Sequence, residues 1–146
     1  MKRWFVILLF VLLPLPARAA TFNPNAILSD FELTDHVSMG RDAIQTFLEN
    51  KTSFLAKYKA LNVNDLLLDA AQIIYDAAIA ARINPKYLLA LLQKEQSLIE
   101  HGSSNPSQNR LDWAMGYALC DACSVNDPLP QKYKGFGKQV DGGAGA

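Results

Sequence analysis

The stretch Asn84-Pro85-Lys86-Tyr87-Leu88-Leu89-Ala90-Leu91-Leu92-Gln93-Lys94-Glu95-Gln96-Ser97-Leu98-Ile99 limits what this chain can fold into more than any other. Asn84 carries a side-chain oxygen that can accept from the free amides of a first helical turn. Pro85 follows where a missing N–H costs nothing. The spacing predicts a helix that runs from Pro85 until His101-Gly102 ends it. Steps of three, four and seven from Glu95 reach Leu88, Leu91, Leu92, Leu98 and Ile99, positions that share one helix face. A lone carboxylate therefore interrupts an apolar stripe. Burial favours the protonated form of a carboxyl, and such a group near a helix end can protonate a leaving oxygen. The plainer reading stands beside it. Residues 87–92 are apolar all round, so only Leu98 and Ile99 add independent support. A glutamate near a helix end is most often solvated or paired, and Lys94 is adjacent.

The rest of the mature chain reads as helical around this element. Leu66, Leu67, Ala70, Ile73, Ile74, Ala77, Ala78 and Ala81 keep a wide apolar stripe, which predicts a helix over 65–82 capped by Asn64. The two-residue link Ile83-Asn84 makes the pair an αα-hairpin or a sharp corner. Ser38 reads as the N-cap of a helix from near Met39, with Ile44, Phe47 and Leu48 inward. A short helix is expected over 53–58, with Phe54, Leu55 and Tyr58 inward. Residues 111–119 form a further helical candidate. The arm 21–34 carries turn residues, and Ile27, Leu28 and Phe31 are expected to anchor it to the core. From Cys120 to Gly137 the chain is turn-rich. No strand-like alternation is long enough to indicate a sheet, so the expected class is all-α with a loop-rich final third. The ending, Asp141-Gly142-Gly143-Ala144-Gly145-Ala146, reads as too flexible to finish a core, and the domain is expected to be truncated there.

The first nineteen residues read as a secretory signal peptide cut after Ala19, with an uncleaved N-terminal anchor as the alternative, and so point to a product outside the cytoplasm. Met1-Lys2-Arg3, the apolar run from Trp4 to Leu13, and Ala17-Arg18-Ala19 form a charged start, a short apolar core and a small-x-small cleavage site. Cleavage after Ala19 removes Lys2, Arg3 and Arg18 and leaves 11 basic against 14 acidic residues. No later run is long and apolar enough to span a bilayer, so no stable membrane span is expected after cleavage. No basic patch interleaved with aromatics suggests nucleic acid. Cys120 and Cys123 are spaced C-x-x-C. One pair cannot form a four-thiolate zinc site, and neither His36 nor His101 sits at a finger-like spacing. In an exported protein a disulfide closing a tight loop is expected, with redox chemistry as the sharper alternative. No metal site or cofactor is indicated. Asn50-Lys51-Thr52 fits a glycosylation sequon, which has meaning only in a eukaryotic secretory pathway.

Gly135-Phe136-Gly137-Lys138-Gln139-Val140 resembles the Gly-Leu-Met-Gln-type segment of lytic transglycosylases and related lysozyme-like enzymes. Together with the Gln93-Lys94-Glu95-Gln96 block, and with Trp113-Ala114-x-Gly116-Tyr117 leading into the cysteines, it makes the chain similar to exported bacterial proteins with lysozyme-like domains. The resemblance implies a lysozyme-like helical domain over 64–146, preceded by the signal peptide (1–19) and an arm with short helices (20–63). It implies a secreted or wall-associated glycosidase acting on peptidoglycan glycan strands. Glu95 would act as acid and then base, with no second carboxylate obligatory. Gln139, Phe136, Tyr117, Trp113 and Gln96 would contact substrate, and Asp112 or Asp121 would assist as base or orienter. The serine that usually follows the catalytic glutamate is one place later here, at Ser97. A non-catalytic wall-binding or interaction module that keeps the same fold is the alternative.

Overall fold

The computed structural model describes residues 27–100 and 105–145. The expected signal peptide lies outside the described residues. The described part is mostly helical, with one small hairpin. In chain order it runs through α1 (Asp30–Thr34), α2 (Arg41–Asn50), a 3-10 turn (Phe54–Ala56), β1 (Lys59–Leu61), β2 (Leu67–Asp69), α3 (Ala70–Ala81), α4 (Pro85–Gln96), α5 (Gln108–Asp112), α6 (Pro128–Lys132) and α7 (Phe136–Ala144).

The central helix is α3. Ala70, Ala71, Ile73, Ile74, Ala77 and Ala78 are all buried on it. Small alanines let neighbouring backbones approach, and α2, α4 and α7 all pack against this helix. Ile44 and Leu48 come in from α2, Leu88, Leu89 and Leu92 from α4, and Phe136, Val140 and Ala144 from α7. Arg82 ends α3 in the left-handed region, at φ 55°.

Asn84 then does more than cap α4. Its Oδ1 accepts from the Lys86 amide at 3.0 Å, as the sequence predicts, and also from the Ser38 hydroxyl at 3.0 Å. Its Nδ2 donates to the Glu32 carbonyl at 2.8 Å, and its backbone amide donates to the Leu33 carbonyl at 2.7 Å. One residue thus starts α4 and ties down α1. The cap of α2 is Gly40 rather than Ser38, whose hydroxyl is engaged with Asn84. The apolar side chains expected to anchor the arm stay outside: Ile27, Leu28 and Phe31 are exposed. Hydrogen bonds hold the arm instead, including a reciprocal cap between Ser29 and Glu32.

The all-α expectation fails at residues 59–69. Lys59–Leu61 pairs antiparallel with Leu67–Asp69, and Ala60 opposes Leu68. The apolar triplet Leu66-Leu67-Leu68 looked like the start of a helical stripe. The asparagines decide otherwise. Asn62 Oδ1 accepts from the amides of Asn64 (2.9 Å) and Leu66 (3.0 Å), which closes a turn, and Asp65 takes φ 58° within it. The helix therefore begins only at Ala70. Its N-cap, Asp69, makes no side-chain cap bond and is ion-paired with Arg41 and Lys59. The helix expected over 111–119 is also shorter. It ends at Asp112, and positive φ at Gly116 (65°) and Ala118 (61°) turns the chain.

The glycine-rich end, expected to be too flexible for a core, is the helix α7. Its glycines are contact surfaces. A Cβ on Gly137 would lie 2.2 Å from the Leu61 carbonyl oxygen, and one on Gly142 would lie 2.3 Å from the Tyr117 ring. On Gly143 it would meet the Met115 sulfur at 2.2 Å. Only a helix without side chains at these positions can lie this close to the hairpin and to the 113–117 loop. Glycine in a helix interior normally costs about 1 kcal/mol relative to alanine. Here the sign reverses. Gly137→Ala is expected to destabilise by about 1–3 kcal/mol in urea unfolding, since a backbone carbonyl must move. Gly143→Ala is expected to cost less, because the Met115 side chain can turn away. A stabilised Gly137→Ala would refute this packing.

Candidate functional site

The residues singled out in the sequence converge on the loop 113–117, from two sides. On one side is Glu95, in the last turn of α4. Gly116 lies beneath it, such that a Cβ there would be 3.4 Å from Glu95 Oε2. Glu95 is not enclosed by leucines. Its side chain is 30% exposed, and its Oε1 accepts from Lys94 Nζ at 2.9 Å. That contact raises the Lys94 ammonium pKa through the hydrogen bond and the opposite charge. The two leucine-type neighbours that supported the buried stripe are not on the helix face. Ser97 ends α4 at φ 51°, so Leu98 and Ile99 are buried after the chain has left helical periodicity. Gln93 Oε1 accepts from the Ile99 and Glu100 amides, and the buried Ser53 hydroxyl donates to the Leu98 carbonyl at 2.8 Å, holding that turn. Gln96 is half-buried at the same end, and its carbonyl accepts from the Arg110 guanidinium.

On the other side is Gln139, fully buried on α7. Its Oε1 accepts from the amides of Tyr117 (3.0 Å) and Met115 (3.3 Å). Its Nε2 donates to the carbonyls of Tyr117 (3.1 Å) and Tyr133 (2.9 Å). The side-chain amide behaves as an extra peptide group, paired with both backbone groups of Tyr117 and holding three chain segments together. All of its polar capacity facing the loop is used. Phe136 and Trp113 are buried too, at 2% and 4% exposure. Phe136 meets the Tyr58 ring edge-on at 5.5 Å. Tyr117 is half-buried and meets Tyr133 edge-on at 5.0 Å. Three of the five expected sugar contacts thus lie in the interior.

Asp112 accepts from Gln108 Nε2 at 2.8 Å and lies 3.5 Å from Lys134 Nζ. It lines a cavity of about 240 Å³ together with Tyr58, whose phenol pKa is pushed up by burial and by the Asp112 charge. Asp121 is exposed beside the disulfide. A cavity of about 430 Å³ lies between α2 and α4 and is walled by Met39, Phe47, Leu89 and Ile99. A third, about 260 Å³, lies between the hairpin tip, α3 and α7. A fourth, about 290 Å³, separates α1 from α4. Glu95 lines none of these four. Cys120 and Cys123 form the expected disulfide, with Cα atoms 5.1 Å apart. Among the described residues no three His, Cys, Asp or Glu side chains gather as they would around a metal ion. No described helix is long and apolar enough to cross a membrane.

A model of the LasA N-terminal domain matches residues 26–127, well over half of the 146-residue chain. The chain belongs to the LasA N-terminal domain family. A search of the curated proteins finds no match, and a search of the solved structures finds none either. Membership in this family overturns the lysozyme-like and lytic-transglycosylase resemblance, and with it the assignment as a glycosidase. The physical reason is visible at both blocks that carried it. The Gly-Phe-x-x-Gln segment has the expected residues, but on α7 Phe136 and Gln139 face the core. The Gln-Lys-Glu-Gln block ends a helix one residue before a left-handed turn, which removes the enclosing stripe. LasA itself is a secreted staphylolytic protease. The family match spans Glu95 and the disulfide but stops before α7.

Sequence reasoning missed Asn84 as a hub, Gln139 as a clamp and the glycines as a packing surface. The signals were present: an asparagine that precedes a proline, and three glycines around one glutamine at helical spacing. Gln139→Ala strands two amides and two carbonyls, one of those amides in a buried bond. We expect it to cost at least about 3 kcal/mol in urea unfolding. Glu95→Gln breaks only a partly exposed pair and is expected to cost under about 1 kcal/mol. The reverse order of effects would show that Gln139 is not the clamp.

Proposed function

We propose that this chain is a non-catalytic N-terminal module of an exported LasA-type protein. In this reading it is a propeptide-like region that escorts a cell-wall-lytic protease and acts on that protease, not on glycan. The observation that carries the reading is Gln139. The side chain best suited to recognise a sugar amide is fully consumed in holding the 113–117 loop. The family match supports the link to a protease, since LasA is a staphylolytic protease and the matched part is its N-terminal region. Surface composition supports an escort role. Ile27, Leu28, Phe31 and Val37 are exposed near α1, and Leu61, Val63, Leu66 and Leu67 are exposed on the hairpin. Exposed apolar side chains grouped on one element are the kind of surface on which another protein can sit. Cell-wall involvement enters through the escorted enzyme.

The test is to refold a LasA-type protease domain from urea with and without an equimolar amount of the mature chain, and to follow lysis of staphylococcal walls. The chain is expected to raise recovery of folded protease several-fold, or to lower the lytic rate while bound. Incubated alone with sacculi, it is expected to release no muropeptides. Muropeptide release by the chain alone, or protease recovery and activity that are the same with and without it, would refute the reading.

A further inference from the structure

We propose that the tip of the β1–β2 hairpin, with the cavity between it, α3 and α7, is a docking surface for an extended polypeptide segment that carries a basic side chain flanked by apolar ones. This rests on the escort reading and says where the escorted protein is held.

The first observation is the hairpin itself. Its register places Ala60 opposite Leu68 and Leu61 opposite Leu67. Alternation sends Ala60 inward, and Leu68 packs on the core. The other face then carries Leu61, Val63, Leu66 and Leu67, exposed at 54%, 45%, 56% and 64%. A two-stranded hairpin of three-residue strands has no intrinsic reason to be apolar on its outer face. The tip is nevertheless built to hold its shape. Asn62 closes the turn through its side chain, its own amide donates to the Leu66 carbonyl at 2.9 Å, and α7 braces β1 where Gly137 meets the Leu61 backbone. A preorganised apolar edge loses little on binding.

The second observation selects the occupant. The adjoining cavity is lined by apolar Ile73, Ala77, Ala80 and Val63 and by the acidic residues Asp76 and Asp141. No lysine or arginine lines it. Asp76 accepts a single hydrogen bond, from Gln72 at 2.7 Å. The Asp141 carboxyl has no hydrogen-bond or ion-pair partner among the described residues, and burial raises its pKa, so a cation beside it would favour its charged form. An aliphatic stem over the alanines, with a cationic head between the two carboxylates, satisfies both features. The same acidic margin repels phosphate groups and anionic lipid.

The experiment uses the mature chain and two synthetic nonapeptides, one with a central arginine flanked by leucine and valine, the other with glutamate in its place. The arginine peptide is expected to bind at least ten-fold more tightly. Backbone NMR shifts should concentrate at residues 61–67, 73–80 and 137–141. Asp76→Asn with Asp141→Asn should lower the affinity about ten-fold, and so should Leu66→Ser with Leu67→Ser. Stability separates docking from misfolding. The raised Asp141 pKa means the native state holds that proton more tightly than the unfolded chain. Its contribution to stability is therefore greatest below the unfolded carboxyl range and falls as pH rises through the native pKa. Asp141→Asn should accordingly raise the melting temperature at pH 7, and not at pH 3, while it weakens binding. Equal affinity for both peptides, shifts confined to the Met39–Leu89 cavity, or a dimer that dissolves in the leucine variant would each overturn the proposal. Because no protease is present, failure here leaves the escort reading standing, and failure of protease recovery leaves this surface standing as a peptide site.

Discussion

The fold of the final third depends on one side-chain amide. Between Trp113 and Tyr133 the chain has only one short helix, a disulfide and turns, so few backbone groups there find partners in regular structure. Gln139 supplies them. By pairing with the amide and carbonyl of Tyr117 it extends α7 sideways, in effect adding a rung of sheet-like bonding to a helix. Such a bond is worth most where water is excluded, and Gln139 is wholly buried. The glycines follow from it. For Gln139 to reach the loop backbone, α7 must lie against Tyr117 and Met115, and Gly142 and Gly143 are the positions where that contact leaves no room for a Cβ. The Gly-rich helix and the buried glutamine are one device.

That dependence explains what was legible in the sequence and what was not. The α3–α4 corner was legible because its signals are local: an asparagine cap, a proline in the first turn, a two-residue link and a run of alanines. Likewise, Ile44 and Leu48 at helical spacing gave the inward face of α2. The hairpin was not legible because three consecutive leucines satisfy a helical stripe as well as a strand. The asparagine turn that decides between them acts through side-chain bonds that spacing does not reveal. For α7 the difficulty was of a different kind. Glycine weakens an isolated helix, so its value appears only once the neighbouring loop is in place.

Glu95 shows how periodicity misleads at a helix end. The stripe needed α4 to continue through Ile99, yet Ser97 takes a left-handed conformation without being glycine. What holds it there is partly nonlocal: Ser53 binds the Leu98 carbonyl from 45 residues away, while Gln93, within α4, gathers the amides that follow. Leu98 and Ile99 are buried, as the sequence suggested, but by the 3-10 turn side of the core instead of by the face that carries Glu95. The carboxylate is left beside Lys94, the pairing that adjacency alone anticipated.

The hairpin and α7 place opposite demands on the same few residues. Leu61 offers its backbone to Gly137 and its side chain to solvent, so the element that completes the core also holds the exposed edge rigid. A protein that acts alone gains nothing from bracing four solvent-exposed aliphatic side chains against its own α7. In one whose task is to hold another chain, the same bracing removes conformational freedom that binding would otherwise have to remove. The Asp141 carboxyl, one helical turn past Gly137, belongs to the same logic. Burial raises its pKa, and a cationic side chain brought beside it would offset what burial costs the charged form.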